Sequence, residues 1–450
     1  MKKLFLFLLA VVTLNSCSED DATTATSSFA MKAASADYDA QCNKPRVVIS
    51  GDLTAANGPH NWTNNNVYVI SGVVRVKTLL TIQEGTYIIA AANVTGANGV
   101  LVVTKAGTID AQGEQDAPIV FTSWKLLDCN AATVPAPGDF GGVVLLGEGP
   151  VNTGSVTNVI EGLGDQPNVS DFYFGGNNAT DASGTMSYVR IEYAGRELPA
   201  EGDNGIEING LTFGAVGSGT IINHIQVSWG LDDAYEWFGG TVNATHLVAF
   251  SNDDDSFDFD WGYRGNISKA ISIANKNSTH SGTTSVPDSN GIELDNNAGG
   301  VPGTPANLIT RPVMTDLSIV GFKNEADAGV LENGIHVRRL GEISLLRATS
   351  TGYGEAGNAG LRWDVDPTLS AKSNLSIHGF DNIVLATTGT YSNFQMLGSL
   401  PNTNGTSVAP EWGVSPYQPF FNEPNFSLSG GTTGAFATEA NWTASWTVFN

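Results

Sequence analysis

Basic residues are scarce in this chain, and their scarcity excludes a great deal. Lysine and arginine together number 21 against 45 aspartates and glutamates, a formal net charge of −24. A surface of that sign repels phosphate backbones and anionic headgroups, so no nucleic-acid partner is expected, and a polyanionic ligand needs bridging cations. Charged residues of both signs make up only 15% of the chain. Beyond the first residues no stretch sustains a 3.6-residue apolar period, which argues against helical architectures. The only long apolar run, Leu4 to Val12, is too short to span a bilayer permanently. A helical channel or pump is therefore not expected. The three cysteines are too few for a disulfide-dense scaffold. There is no H-E-x-x-H, no P-loop, no G-x-S-x-G and no dinucleotide fingerprint, so the common catalytic signatures give no reaction.

What the chain does contain is glycine, 52 of them, and short runs in which apolar and polar residues alternate. Val67-Tyr68-Val69-Ile70, Val73-Val74-Arg75-Val76 and Leu80-Thr81-Ile82 each end in a turn, the pattern of strands rather than helices. Two stretches lie 22 residues apart and read almost alike, Asp232 to Phe238 and Asp254 to Asp260; His224-Ile225 and His246-Leu247 repeat at the same offset. A period in this range is the signature of a solenoid, whose single coils cannot bury their apolar faces alone.

Superposing the coils places Glu207, Glu236, Asp258, Glu293, His336 and Arg362 in one column, and Asp260, Asp295, Arg338 and Asp364 in a second. Phe257 and Phe259 should point inward, turning Asp258 and Asp260 outward onto one face. Stacked carboxylates about 4.8 Å apart repel by roughly 3 to 4 kcal/mol at an effective dielectric near 20. The column is therefore either well solvated or offset by a cation. Oxygen-rich clusters suit calcium, and Asp254, Asp255, Asp258, Glu236 and Glu293 are the candidate ligands. The alternative is that these residues shape coil corners through Asx turns.

The same acids supply raw material for glycoside hydrolysis, which needs two carboxylates, one of them protonated. Candidate catalytic residues are Glu236, Asp258 and, as a lyase base, Arg338, although Arg338, Arg339 and Arg362 fall two coils or more from the densest acids. Arg338 could equally form an ordinary salt bridge. Trp229, Trp261 and Tyr263 lie near this face as candidate sugar-stacking platforms. Trp237 aligns with the inward phenylalanines and is expected in the core, and His224 and His246 read as corner residues.

Residues 1–16, two lysines followed by the apolar run, read as a signal peptide. They end in Leu14-Asn15-Ser16-Cys17, which resembles a bacterial lipobox and implies lipidation at Cys17. Ser18-Glu19-Asp20-Asp21 resembles the acidic tag that sends lipoproteins to the cell surface. Residues 17–45 read as a tether, 46–395 as the coils and 396–450 as a loop and capping segment. Phe436, Trp442, Trp446 and Phe449 in that last segment could cover the final coil. Cys42 and Cys129 form an even pair, expected as a disulfide in an oxidising compartment.

The strand–turn succession resembles the right-handed parallel β-helix of pectate-lyase-like proteins. Ala117 to Ser123, Asp254 to Trp261, Asp288 to Glu293 and Trp442 to Trp446 are similar to segments of surface lipoproteins from Gram-negative, polysaccharide-degrading bacteria. The expected fold is thus all-β, a right-handed parallel β-helix (solenoid) with long loops on one side and a C-terminal cap. The resemblance implies an outer-membrane, lipid-anchored location facing the cell surface but lends no reaction. The expected role is a non-enzymatic module that binds a glycan, an ion or a TonB-dependent transporter. A calcium-dependent polysaccharide lyase or glycoside hydrolase is the alternative, and a structural adhesin a third.

Overall fold

The computed structural model describes residues 36–92, 98–198, 206–275, 277–283, 286–297, 308–322, 330–339, 341–353, 360–363, 375–381, 394–396 and 434–449. Cys17, the signal peptide and Asp364 lie outside them. The described chain is an all-β parallel β-helix. Its strands form one 15-stranded and one 10-stranded sheet, and every strand pair within both is parallel. Two further two-stranded antiparallel ribbons stand apart from the coils.

The pairing follows the sequence period. Tyr235–Phe238 lies directly on Phe257–Asp260, Tyr235 beside Phe257 and Trp237 beside Phe259. These apolar positions face inward into one continuous core that both sheets share. Phe213, Trp237 and Phe259 stack with ring centroids 5.2 and 4.8 Å apart, and Tyr235 stacks on Phe257 at 5.4 Å. Parallel strands hold identical positions one above the next, so an aromatic column is the natural filling of such a core.

The eight-residue strands of the long sheet are not straight. Tyr188, His224, His246, Lys269, Asp316 and Arg347 sit at equivalent positions, all with φ between 49° and 58°. Each drops out of the pairing while its neighbours on both sides remain in register. A left-handed residue bends the strand and turns the coil, and the stack must supply what an isolated side chain loses there. Part of that compensation is visible: Tyr188, His224 and His246 stack at 4.3 and 4.0 Å, and Arg347 pairs with Asp316.

Both ends of the described chain pack on the outer face of this long sheet. Tyr38 reaches Glu192 through a 2.8 Å hydrogen bond beside the buried Arg190–Glu192 ion pair. Cys42 is joined to Cys129, with Cα atoms 5.3 Å apart. Phe436, Trp442, Trp446 and Phe449 pack across the flank, against Trp229, Phe250, Ile271, Ile273 and Val320; the side chains of the last coil, which this segment was expected to cap, lie outside the described residues. Three successive strands, and Trp229 just past the end of a fourth, present apolar outward residues there, and aromatic area goes where unburied apolar area is widest.

Trp237 is wholly buried between its stacked neighbours. Trp237→Ala should therefore lower unfolding stability by about 3 to 5 kcal/mol in urea denaturation. An unshifted midpoint would contradict the stacked-core account.

Candidate functional site

Along the outward face of the ten-stranded sheet, one side-chain position can be followed from coil to coil. It runs Asp52, Arg75, Val102, Val144, Thr212, Glu236, Asp258, Glu293, His336 and Arg362. The order is charged, then apolar, then acidic, then basic. Glu207 is not in this column: it pairs antiparallel with Glu197 in a side ribbon, and Thr212 takes the position. An insertion between two coils shifts the register, and the repeat alone does not reveal it.

The apolar part of the column is covered. Val102, Val144 and Leu146 are buried beneath Val151, Ile160, Leu163, Phe172 and Phe174, all supplied by the long excursion after strand Gly142–Leu146. Its edge stops at the acids. There, Ile160, Glu161, Asn209, Asp232, Asp233, Glu236, Asp254, Asp255, Asp258 and Glu293 line a cleft of about 140 Å³. Eight of these ten residues are carboxylates and none is basic. The loop thus converts an outer wall that would otherwise be open to water into a partly enclosed site.

Two kinds of position supply the acids. Glu236, Asp258 and Glu293 project from successive strands. Asp232, Asp233, Asp254 and Asp255 come from the corners that precede those strands. The corners are tied by backbone amides: Asp255 N–H donates to Asp233 Oδ1 at 2.9 Å, and Asn290 N–H to Asp255 Oδ1 at 2.6 Å. Asp254 Oδ1 accepts from Ser281 Oγ at 2.7 Å. Of the two roles open to Asp255, corner and ligand, one carboxyl oxygen performs the first. Asp258 differs: its Oδ1 is shielded from solvent and receives no hydrogen bond. A buried, unmatched carboxylate oxygen costs free energy unless a ligand completes it.

Oxygens from three overlapping triads lie within 4.8 Å of one another: Asp232, Asp233 and Asp254; Asp233, Glu236 and Asp258; Asp255, Asp258 and Glu293. Donors that are all hard oxygens, on residues fixed by backbone amides, fit calcium better than a soft or imidazole-seeking metal. Asp232, Asp233, Glu161 and Asn209 were not among the sequence candidates. Asp233 had a signal, since it repeats as Asp255 at the 22-residue offset. Glu161 had none, because it arrives from a loop far outside the repeat.

Burial, first of all, holds these acids toward the protonated form, and their neighbours add to it. The pKa values of Asp233, Glu236, Asp255 and Asp258 stand well above the ordinary range, with Asp232, Asp258, Asp254 and Glu293 respectively the leading charged neighbours. Asp254, Asp260 and Glu293 are each pushed up to about 7. Burial raises Glu293 most, Arg338 opposes it and Asp295 adds to it.

Arg338 follows the strand next to Glu293 and lies two coils from Asp258, as the repeat implied. It binds Glu293, and its Nε donates to Asp295 Oδ2 at 2.9 Å. Those two carboxylates hold its guanidinium charged, so Arg338 is not available as a base. It closes the acidic stretch on one side, as Asn209, hydrogen-bonded to Glu236, does on the other.

The proposed stacking platforms do not line this cleft. Tyr263 is fully buried, with its hydroxyl donating to Val242 O at 2.8 Å and its ring against Trp237 and Phe259. Trp229 is only 9% exposed and lies under the C-terminal segment on the other sheet. Trp261 is half-buried and stacks on Phe174 at 5.8 Å. In each case the ring fills a protein surface next to the corner where it emerges.

An acid whose pKa is higher folded than unfolded binds its proton more tightly in the folded state. Stability is then undiminished below the unfolded value of about 4 and falls as pH rises through the folded value of about 7 for Asp254 and Glu293. Chelator-treated protein should accordingly melt several degrees lower at pH 8 than at pH 5. Asp254→Asn should flatten that slope. A melting temperature that rises with pH would contradict the cluster's electrostatics.

Residues 54–447 match the family model for the pectate-lyase like beta helix domain. No curated protein and no solved structure shows a significant match to the chain. The family match spans most of the sequence, and the parallel coils are the architecture it describes. The chain therefore belongs to the pectate-lyase like beta helix family.

Proposed function

We propose that this protein is a calcium-binding, lipid-anchored module of the outer-membrane surface, and that it binds a ligand rather than transforming one. One observation carries the reading: eight carboxylates converge on a cleft with no basic residue in its lining, and at its centre Asp258 Oδ1 is buried without a donor. Burial and mutual repulsion hold protons on this cluster, and a divalent cation would displace those protons, offset the repulsion among the carboxylates and supply a partner for the unmatched oxygen. Asp233, Glu236, Asp255, Asp258 and Glu293 would hold the ion. A bound cation with open coordination positions would also offer a bridge to the carboxylates of an acidic glycan, which the protein's own charge would otherwise repel.

The anchoring part of the proposal rests on Leu14 to Cys17 and the acidic run behind it. The first described helix, Ala36–Asp39, is fixed to the long sheet, whereas the acids face outward from the other sheet. A tether attached to the first would leave the cleft directed away from the membrane, accessible to a glycan or to a transporter of the TonB-dependent class. The lyase or hydrolase reading has less support, because Arg338 is held by two carboxylates and the cleft lining contains no aromatic ring.

Calcium at a hundredfold excess over its dissociation constant should stabilise the protein by about 2.7 kcal/mol, read as a rise in melting temperature over chelated protein. Asp258→Asn should abolish the rise. Calcium-dependent retention on a polyuronate column, without release of unsaturated product, would support the binding role. Melting curves indifferent to calcium would overturn the proposal. Separately, Cys17→Ala should move the protein from the membrane to the soluble fraction, and an unchanged distribution would remove the anchor.

A further inference from the structure

We infer that the C-terminal segment, residues 434–449, is an acid-released strap: it lies on the long sheet while His224 and His246 are neutral and lifts from it when they take up protons. The inference is independent of the cation reading above and concerns the other sheet.

The segment follows the column of left-handed residues from coil to coil. Gly434 N–H donates to Arg347 O at 2.9 Å, and Thr438 Oγ1 to Asp316 Oδ2 at 2.6 Å. Glu439 stands 3.7 Å from Lys269 Nζ and 3.2 Å from His246 Nε2. The Trp442 ring meets His246 edge-on with centroids 5.2 Å apart. Trp446 meets His224 and Tyr188 in the same way at 5.5 and 6.0 Å. Every member of the column, from Arg347 to Tyr188, is thus in contact with the strap.

Much of the remaining fastening is neutral. Gln226 donates to Val448 O at 2.6 Å and accepts from its N–H at 2.9 Å. Both indole N–H groups bond within the segment, to Ala435 O and Trp442 O. The rings therefore meet the sheet as apolar surface and hold it through burial.

Beneath those rings lie the two histidines. They stack with planes 7° apart and centroids 4.0 Å apart, and Tyr188 stacks on His224 at 4.3 Å from the preceding coil. Asn223 Oδ1 meets His224 Nδ1, and Thr245 Oγ1 meets His246 Nδ1 at 2.9 Å. The charged groups facing the pair are Glu439 and Lys269. Two imidazolium ions at this separation repel, and the covering indoles withhold the water that would relieve them. Burial foremost, and then the charge of His246, holds His224 down at about 4, with Glu439 opposing and Lys269 adding. Burial also lowers His246, against its hydrogen bond with Glu439.

A histidine lowered in the docked state contributes docking strength that is complete above the ordinary value of about 6.5. That strength is lost as pH falls toward the docked value. The cleft acids Asp254 and Glu293, raised to about 7, respond in the opposite sense. Mild acid therefore loosens the strap while the coils beneath it hold. Its release would bare Trp229, Phe250, Ile271, Ile273 and Val320, an apolar face whose exposure is set by pH.

The test is hydrogen exchange read by mass spectrometry on full-length protein in chelator, at about pH 7.5 and about pH 5. Exchange times are scaled for the intrinsic pH dependence of the amides. Protection across residues 434–449 should fall on the order of tenfold at the lower pH, while the core strand Tyr235–Phe238 keeps its protection. His224→Phe, which preserves the ring stack without a titrating group, combined with His246→Gln should leave the strap equally protected at both pH values. Should the double variant fail to fold, judged by protection of Tyr235–Phe238, His224→Phe alone decides, and the pH effect should shrink severalfold. Equal protection of the wild-type strap at both pH values would overturn the inference. A loss that persists in the variants would place the trigger on other groups and overturn it too. So would a loss spread through the core strands, which is acid unfolding of the whole chain. None of these outcomes bears on calcium binding.

Discussion

Everything in this molecule depends on the fixed spacing between parallel coils. Backbone hydrogen bonding holds successive strands about 4.8 Å apart and repeats each position in register, so one choice of residue becomes a column. Inward, the columns are aromatic and aliphatic and supply the cohesion of the shared core. Outward, the same geometry forces Glu236, Asp258 and Glu293 into a spacing that their charges oppose. Cohesion on one side of a strand thus makes possible the repulsion on the other.

The repulsion alone would be modest in water. It becomes consequential because the excursion after Gly142–Leu146 folds back over the sheet, burying Val102 and Val144 and stopping beside Glu236. Lower local polarity raises the cost of each carboxylate charge and the return from any cation that joins them. The corner aspartates complete the enclosure through backbone amides from the next coil. Fixed acids, few donors and partial enclosure together support the proposed seat for a hard cation.

Much of this was legible in the residues, for identifiable reasons. The 22-residue offset between Asp232–Phe238 and Asp254–Asp260 is the coil itself, so the inward aromatics and the Glu236–Asp258 neighbourhood could be read directly. The column failed at Glu207, where a side ribbon interrupts the repeat. Tyr263 was misjudged because alternation fails once the strand ends: past Asp260 the chain turns, and Gly262 at φ 87° swings the tyrosine back into the core. The roof beside the acids and the flank position of Trp442 and Trp446 were not legible. Both depend on which outward columns happen to be apolar, a property of ten strands taken together rather than of any one segment.

The central claim, that stacked acids on an enclosed outer wall form a cation site, is tested most directly by anomalous diffraction from crystals grown with a lanthanide in place of calcium. The account requires anomalous density beside Asp258, between the strands of Glu236 and Glu293. Density confined to lattice contacts, with Asp258 Oδ1 hydrogen-bonded to protein and the cleft free of metal, would contradict it.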